Sequence, residues 1–184
     1  MRVVGGAFRG HALAAPRGAA IRPTSDRTRE AVFNMLAHRY PEKLDGGRVL
    51  DLFAGTGALG VEALSRGASV CVFIEESAEG RGLIRDNVEA LGLQGRTRIF
   101  RRDATRLGNV GTLAPFHLVF ADPPYGKGLA GPALSAARAG GWLAPGAVAV
   151  VEEAAGAPFA PGPGFAVADE RRYGDTVIRF VEAG

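Results

Sequence analysis

Gly55-Thr56-Gly57-Ala58-Leu59-Gly60 constrains this chain more than any other segment, because it stands between an apolar run and a helical pattern. Residues 48–53 read as a buried strand, and residues 57–66 read as a helix closed by Gly67. A G-x-G-x-x-G in that setting opens a βαβ unit and places a nucleotide-like ligand at the strand's carboxyl edge. The alternation continues downstream. Strands are expected at residues 68–75, 97–100, 116–121 and 147–151, with helices from a Ser77 cap to about Leu91 and over residues 128–139. Strands alternating with helices of this length imply a doubly wound α/β domain on a mostly parallel sheet. Residues 165–172 and 176–181 are separated only by Tyr173-Gly174-Asp175, so the last strand is expected to be antiparallel.

The 184 residues suit one core, and no apolar run approaches the roughly 18 residues of a membrane span. No apolar leader opens the sequence, so a cytoplasmic location is expected. Cys71 is the only cysteine, which excludes an internal disulfide or a Cys-based zinc site, and it reads as a small core residue. His11, His38 and His117 lack metal-ligand spacing, so no metal is expected. Charge is uneven: residues 1–48 carry nine Lys and Arg against four Asp and Glu, net +5, while residues 49–184 are net −2. The expected organisation is therefore a basic N-terminal extension over residues 1–47 and a ligand-binding α/β domain over residues 48–184. Within the extension, Val3-Val4 and Ala12-Leu13 are expected as edge strands, and residues 25–39 as a helix capped by Thr24, Ser25 or Asp26. Residues 154–164, rich in Pro and Gly, read as a surface loop.

Glu75 ends the second expected strand, where a carboxylate can accept hydrogen bonds from both ribose hydroxyls. Two ligands compete for the glycine loop. A nicotinamide dinucleotide would set its pyrophosphate at the helix N-terminus, but the nearby Asp51 carboxylate would repel it. S-adenosylmethionine has no phosphate and carries an ammonium and a sulfonium, so Asp51 would favour it directly or through water. Asp103-Ala104 follows the third strand, within reach of an adenine amino group, although an Asp there also caps turns. The surrounding Arg96, Arg98, Arg101, Arg102 and Arg106 form either a solvated face or a phosphate contact.

Asp122-Pro123-Pro124-Tyr125 ends the fourth strand at the same sheet edge. Two prolines stiffen the wall, the Asp carboxylate and a Pro carbonyl offer two acceptors, and Tyr125 offers a ring for base stacking. That combination suits an exocyclic amine awaiting a methyl group.

These residues resemble the Asp/Asn-Pro-Pro-Tyr class of S-adenosylmethionine-dependent amino methyltransferases. The segments Arg2-Val3-Val4-Gly5-Gly6, Arg9-Gly10, residues 22–34, residues 49–60 and Tyr173-Gly174 narrow the resemblance to the RsmD-type family. It implies a Rossmann-like class I fold with seven strands and N2 methylation of a guanine in bacterial 16S ribosomal RNA, within an assembled or partly assembled small subunit. It also implies that Asp51, Phe53, Ala54, Gly55 and Gly57 hold the methionine end of the cofactor, Glu75 the ribose, and Asp103-Ala104 the adenine. Asp122, Pro123, Pro124 and Tyr125 would receive the amine, and Arg2, Arg9, Arg22, Arg27 and Arg29 would dock RNA phosphates. The nearest alternatives are an adenine-N6 DNA methyltransferase, for which residues 1–47 leave little room for a groove-reading module, a protein-glutamine methyltransferase, and a nicotinamide-binding oxidoreductase.

Overall fold

The computed structural model describes residues 1–17 and 24–184. Its elements are α1 (Asp26–Arg39), α2 (Pro41–Leu44), β1 (Arg48–Leu52), α3 (Ala58–Ser65), β2 (Val70–Ile74), α4 (Ala78–Ala90), β3 (Thr97–Phe100), β4 (Phe116–Ala121), α5 (Ala130–Ala139), β5 (Leu143–Ala154), β6 (Phe165–Tyr173) and β7 (Thr176–Ala183). Seven strands form one sheet in the order β3-β2-β1-β4-β5-β7-β6. Strands β1 to β5 run parallel, and β7 runs antiparallel to both β5 and β6. Among the described residues, no helix is long and apolar enough to cross a membrane.

Successive strand side chains point to opposite faces, and both faces here are apolar because both are covered. Val49, Phe73, Phe120 and Val150 face one way and pack with α1, α3 and α4. Leu50, Ile74, Ala121 and Val151 face the other way and pack against Ala133, Leu134 and Ala137 of α5. Val3, Leu13, Phe33 and Leu36, from the first 47 residues, belong to the first of these clusters. The strand order reverses between β1 and β4, and α/β sheets bind ligands in the crevice at such a switch point.

Two local expectations need correction. Val3-Val4 and Ala12-Leu13 do not form strands; they flank a single antiparallel bridge, Arg2 to Ala12. The fifth strand is longer than residues 147–151, spanning Leu143–Ala154. Pro145-Gly146 disguises its start, where the register against β4 shifts between Phe116 and Leu118. Its far end is held by pairing with β7 through Ala154 and Thr176, which nothing local encodes. The extension puts Glu152 and Glu153 inside the strand, one on each face.

Candidate active site

The glycine loop follows β1, and each glycine has a separate physical reason. Gly55 and Gly57 take φ values of +59° and +79°, which side-chain-bearing residues rarely adopt. Gly60 lies in α3 against β2, and a Cβ there would stand 2.5 Å from Phe73 and 2.6 Å from the Cys71 sulfur. Helix and sheet can approach this closely only without that carbon. Phe53, just before the loop, is the one non-glycine among the described residues with positive φ, +54°. Such strain is held by surrounding structure and concentrates at functional sites.

Glu75 closes the loop from β2. Its carboxylate accepts hydrogen bonds from Gly55 N at 2.7 Å and Ser77 N at 2.9 Å. Gly80 makes room for it, since a Cβ at that position would stand 2.7 Å from Glu75 Cγ. Asn87 ties the loop down from α4, donating to Thr56 O at 2.9 Å while accepting from Ala14 N at 2.7 Å.

A cavity of about 710 Å³ opens above β1 and β4. Phe53, Ala54, Gly55, Glu75 and Ala104 line it together with Asp122, Pro123, Pro124 and Tyr125. Asp51, Gly57 and Asp103, also expected to hold the cofactor, are not among the residues that line it. Asp51 is buried, and its Oδ2 accepts from Gly60 N at 3.1 Å, so the side chain anchors α3 to β1. Burial pushes its carboxyl up, against the Gly60 hydrogen bond and with the Glu75 charge adding to the rise. The Asp103 carboxylate is occupied by Thr105, accepting from its N at 2.8 Å and its hydroxyl at 2.7 Å, which holds its pKa down.

Asp122 has partners that its local sequence does not suggest. Thr24 Oγ1 lies 3.0 Å from Asp122 Oδ2 and 2.7 Å from Glu152 Oε2. Tyr125 donates its hydroxyl toward Glu152 Oε1 at 3.3 Å and shares a 2.8 Å hydrogen bond with Thr176 Oγ1. Burial raises the Asp122 pKa most, the Glu152 charge raises it further, and the Thr24 hydrogen bond opposes both. Thr24, Glu152, Tyr173, Asp175 and Thr176 all line the cavity, and sequence reasoning does not single them out as site residues. One signal points to Glu152: an acidic residue ending the apolar run Val148-Ala149-Val150-Val151 at the carboxyl edge of the sheet.

The basic residues divide by exposure. Arg2, Arg9 and Arg27 are exposed, and Arg22 lies outside the described residues. Arg29 does not fit the expected RNA contact, and that expectation is corrected: its side chain is 0% exposed. It donates to Glu62 Oε1 at 3.2 Å, Asp26 Oδ1 at 2.9 Å, Thr24 O at 3.4 Å and the carbonyl of Arg2. Glu62, equally buried, accepts in addition from Arg66 Nε and from Val4 N and Gly5 N, each at 2.9 Å. Downstream, Arg96 is spent on the carbonyl of Ala68 at 2.6 Å, and Arg102 lies over the Phe100 and Trp142 rings. Arg98, Arg101 and Arg106 remain exposed.

Comparison with known proteins places these features in a family. The family model described as conserved hypothetical protein 95 matches residues 1–182. The Ribosomal RNA small subunit methyltransferase D of Escherichia coli K12 is 41% identical over 154 residues, 83% of this chain and 74% of that protein. The protein of the same name in Haemophilus influenzae is 30% identical over 184 residues, 99% of this chain and 93% of that protein. The solved structure of Escherichia coli yhhF superposes with a TM-score of 0.82 at 33% identity, covering 100% of this chain and 97% of that one. The seven-stranded sheet, the glycine loop and the similarity along nearly the whole chain lead to one assignment: the chain belongs to the RsmD-type family of methyltransferases.

Proposed function

We propose that this chain transfers a methyl group from S-adenosylmethionine to the exocyclic N2 amine of a guanine in small-subunit ribosomal RNA, presented in an assembled or partly assembled particle. The observation that carries this reading is the cavity itself, where the glycine loop and Glu75 share one space with Asp122-Pro123-Pro124-Tyr125. Its volume of about 710 Å³ falls within the range of small-ligand sites. When bound, S-adenosylmethionine supplies an electrophilic methyl carbon on a sulfonium. Glu75 accepts two backbone hydrogen bonds and keeps lone pairs for ribose hydroxyls. The Asp51 carboxyl already occupies the Gly60 N–H in the first turn of α3, a donor that a dinucleotide's pyrophosphate would need, which favours a ligand without phosphate. Phe53, Ala54 and Gly55 present backbone to the methionine end, and Ala104 leaves room for the adenine.

At the other end, Asp122 and a neighbouring proline carbonyl accept from the two amine hydrogens and align the nitrogen lone pair. Charge develops on nitrogen as it attacks, and the Asp122 carboxylate stabilises that cation more than it stabilises the neutral amine. Tyr125, anchored through its hydroxyl to Thr176, offers its ring to the base. The base is swung out of its stack at a cost of a few kcal/mol unless it already lies in a loop. Arg2, Arg9, Arg22 and Arg27, on the basic extension of residues 1–47, contact phosphates without reading sequence, so a prefolded particle supplies the selection. Relatives named ribosomal RNA small subunit methyltransferase D support the choice of RNA.

The test incubates the protein and tritiated S-adenosylmethionine with purified small subunits, deproteinised ribosomal RNA and DNA, followed by mass spectrometry of digested nucleosides. N2-methylguanosine from the particles is expected. Label in N6-methyladenine of DNA would overturn the reading, and equal label in naked RNA would overturn its particle clause.

A further inference from the structure

Asp122 follows β4 and Glu152 lies in β5, yet they meet at one hydroxyl. Thr24 Oγ1 is within hydrogen-bond distance of both carboxylates, 3.0 Å from Asp122 Oδ2 and 2.7 Å from Glu152 Oε2. A hydroxyl has one proton to give and two lone pairs to receive with. It cannot fully satisfy two ionised carboxylates at once. The arrangement is saturated only when one carboxyl carries a proton and donates it to the threonine oxygen, while the threonine donates to the other. Such a chain can reverse its polarity, and reversal moves a proton from one carboxyl to the other.

We infer that Asp122 and Glu152, joined through the Thr24 hydroxyl, work as one proton-accepting carboxyl pair in which Glu152 takes over the proton that Asp122 receives from the methylated amine. The inference rests on the amine-methylation reading above. In balance, the amine nitrogen forms its bond to the methyl carbon as the carbon–sulfur bond breaks, and that electron pair returns to sulfur, leaving a neutral thioether. The nitrogen is now cationic and releases one proton to Asp122 Oδ2. Asp122 passes a proton to Thr24 Oγ1 as Thr24 passes its own to Glu152 Oε2, and Asp122 is again a carboxylate. Glu152 lines the cavity and returns the proton to water there. Glu152 touches neither reactant in this scheme, so it is a positioning residue acting through Thr24 and Asp122.

The surroundings support a coupled pair. Among the described residues, the charged groups facing Asp122 are Asp51 from β1 and Glu152 from β5, while Tyr125 turns its hydroxyl to Glu152. Glu152 faces Tyr125 and Thr24, while Glu153 points to the opposite face of the sheet, where Arg179 lies near it. Among the described residues, Glu75, Glu76, Glu79, Asp175 and Arg102 complete the charged lining of the cavity. No cation is hydrogen-bonded to either member of the pair among the described residues, so the Glu152 charge raises the Asp122 carboxyl with only the Thr24 hydrogen bond to oppose it. Thr24 is fixed from behind, because the buried Arg29 donates to its carbonyl at 3.4 Å. The basic extension thus contributes a residue to the acceptor end of the cavity as well as its exposed arginines.

The pH dependence of kcat/KM on small subunits tests this, since its acid limb reports protonation of the free enzyme's essential base. Glu152→Gln removes the like charge and keeps the shape, so the acid limb moves down by about 1–2 pH units. The rate on the plateau falls up to the order of 10²-fold, the lower end for a positioned proton transfer. Thr24→Val removes the hydroxyl that stabilises the Asp122 carboxylate, so the limb moves the opposite way, to higher pH, while Thr24→Ser keeps the wild-type position. A merely structural contribution would not shift the limb in opposite directions. A Glu152→Gln limb that coincides with wild type would overturn the inference, as would Thr24→Val and Thr24→Ser limbs that coincide. If Glu152→Gln does not fold by circular dichroism, the two Thr24 variants decide alone. Mass spectrometry of the product nucleosides runs beside every profile: methylation at another atom refutes the amine reading, and unmoved limbs with N2-methylguanosine as product refute only the pair.

Discussion

Replacing Arg29 by Ala separates a structural role from an RNA-binding one. The substitution removes hydrogen bonds to Glu62, Asp26, Thr24 and the Arg2 carbonyl; water can reach the half-exposed Asp26 but not Glu62, whose side chain is fully buried. Removing one partner of a buried ion pair costs about 3–5 kcal/mol, mostly because the other charge stays buried and uncompensated. Glu62 here retains Arg66 Nε and the N–H groups of Val4 and Gly5, so the low end applies, about 3 kcal/mol. With a urea m-value of about 2 kcal/mol/M, the unfolding midpoint should fall by about 1.5 M at unchanged m. Equilibrium urea unfolding followed by circular dichroism gives that midpoint, and a salt series of particle binding is measured alongside. Arg9→Ala/Arg27→Ala should behave in the reverse manner, with an unaltered midpoint and a salt slope reduced by about one for each phosphate left without its arginine. An Arg29→Ala midpoint within about 0.3 M of wild type, together with a reduced salt slope, would refute the reasoning and return Arg29 to the RNA surface.

Asp122→Asn keeps the volume and one acceptor but removes the charge that meets the developing cation, so single-turnover rates should fall on the order of 10²–10³-fold with cofactor affinity nearly unchanged; equal reductions in both would point to a misfolded loop. Glu75→Ala should weaken binding of S-adenosylhomocysteine in calorimetric titration while the chain still folds, with a small drop in melting temperature from the hydrogen bonds lost to Gly55 N and Ser77 N, and an unchanged dissociation constant would move the ribose contact elsewhere. Asp51→Asn tests the buried carboxyl. Because burial raises the folded-state pKa of Asp51, the folded chain binds that proton more tightly than the unfolded chain, and wild-type stability falls as pH rises from the ordinary carboxylate range through the raised value. Asparagine can still accept from Gly60 N without ionising, so its melting temperature relative to wild type should climb between pH 5 and pH 8; a constant difference would show that Asp51 is not held protonated.

The amino-acid sequence determines the parts of this protein that depend on neighbours along the chain. Short apolar runs mark β1 at Arg48–Leu52 and β4 at Phe116–Ala121, because both faces of the sheet are covered and each run is buried almost throughout. Gly55 and Gly57 are legible as well, since the turn that their positive φ values permit lies between the adjacent elements β1 and α3. The tertiary structure decides what depends on partners far away in sequence. The end of β5 exists because β7 pairs with it, and so Glu152 could not be recognised as a strand residue from residues 147–153 alone. Arg29 stands in a basic segment beside Arg27, yet it turns inward to Glu62, 33 positions on, while Arg27 stays in water. Thr24 meets Asp122 across 98 positions and Glu152 across 128. A local pattern shows which side chains turn inward, but which of them meet there follows from how the sheet brings separate strand ends to one edge.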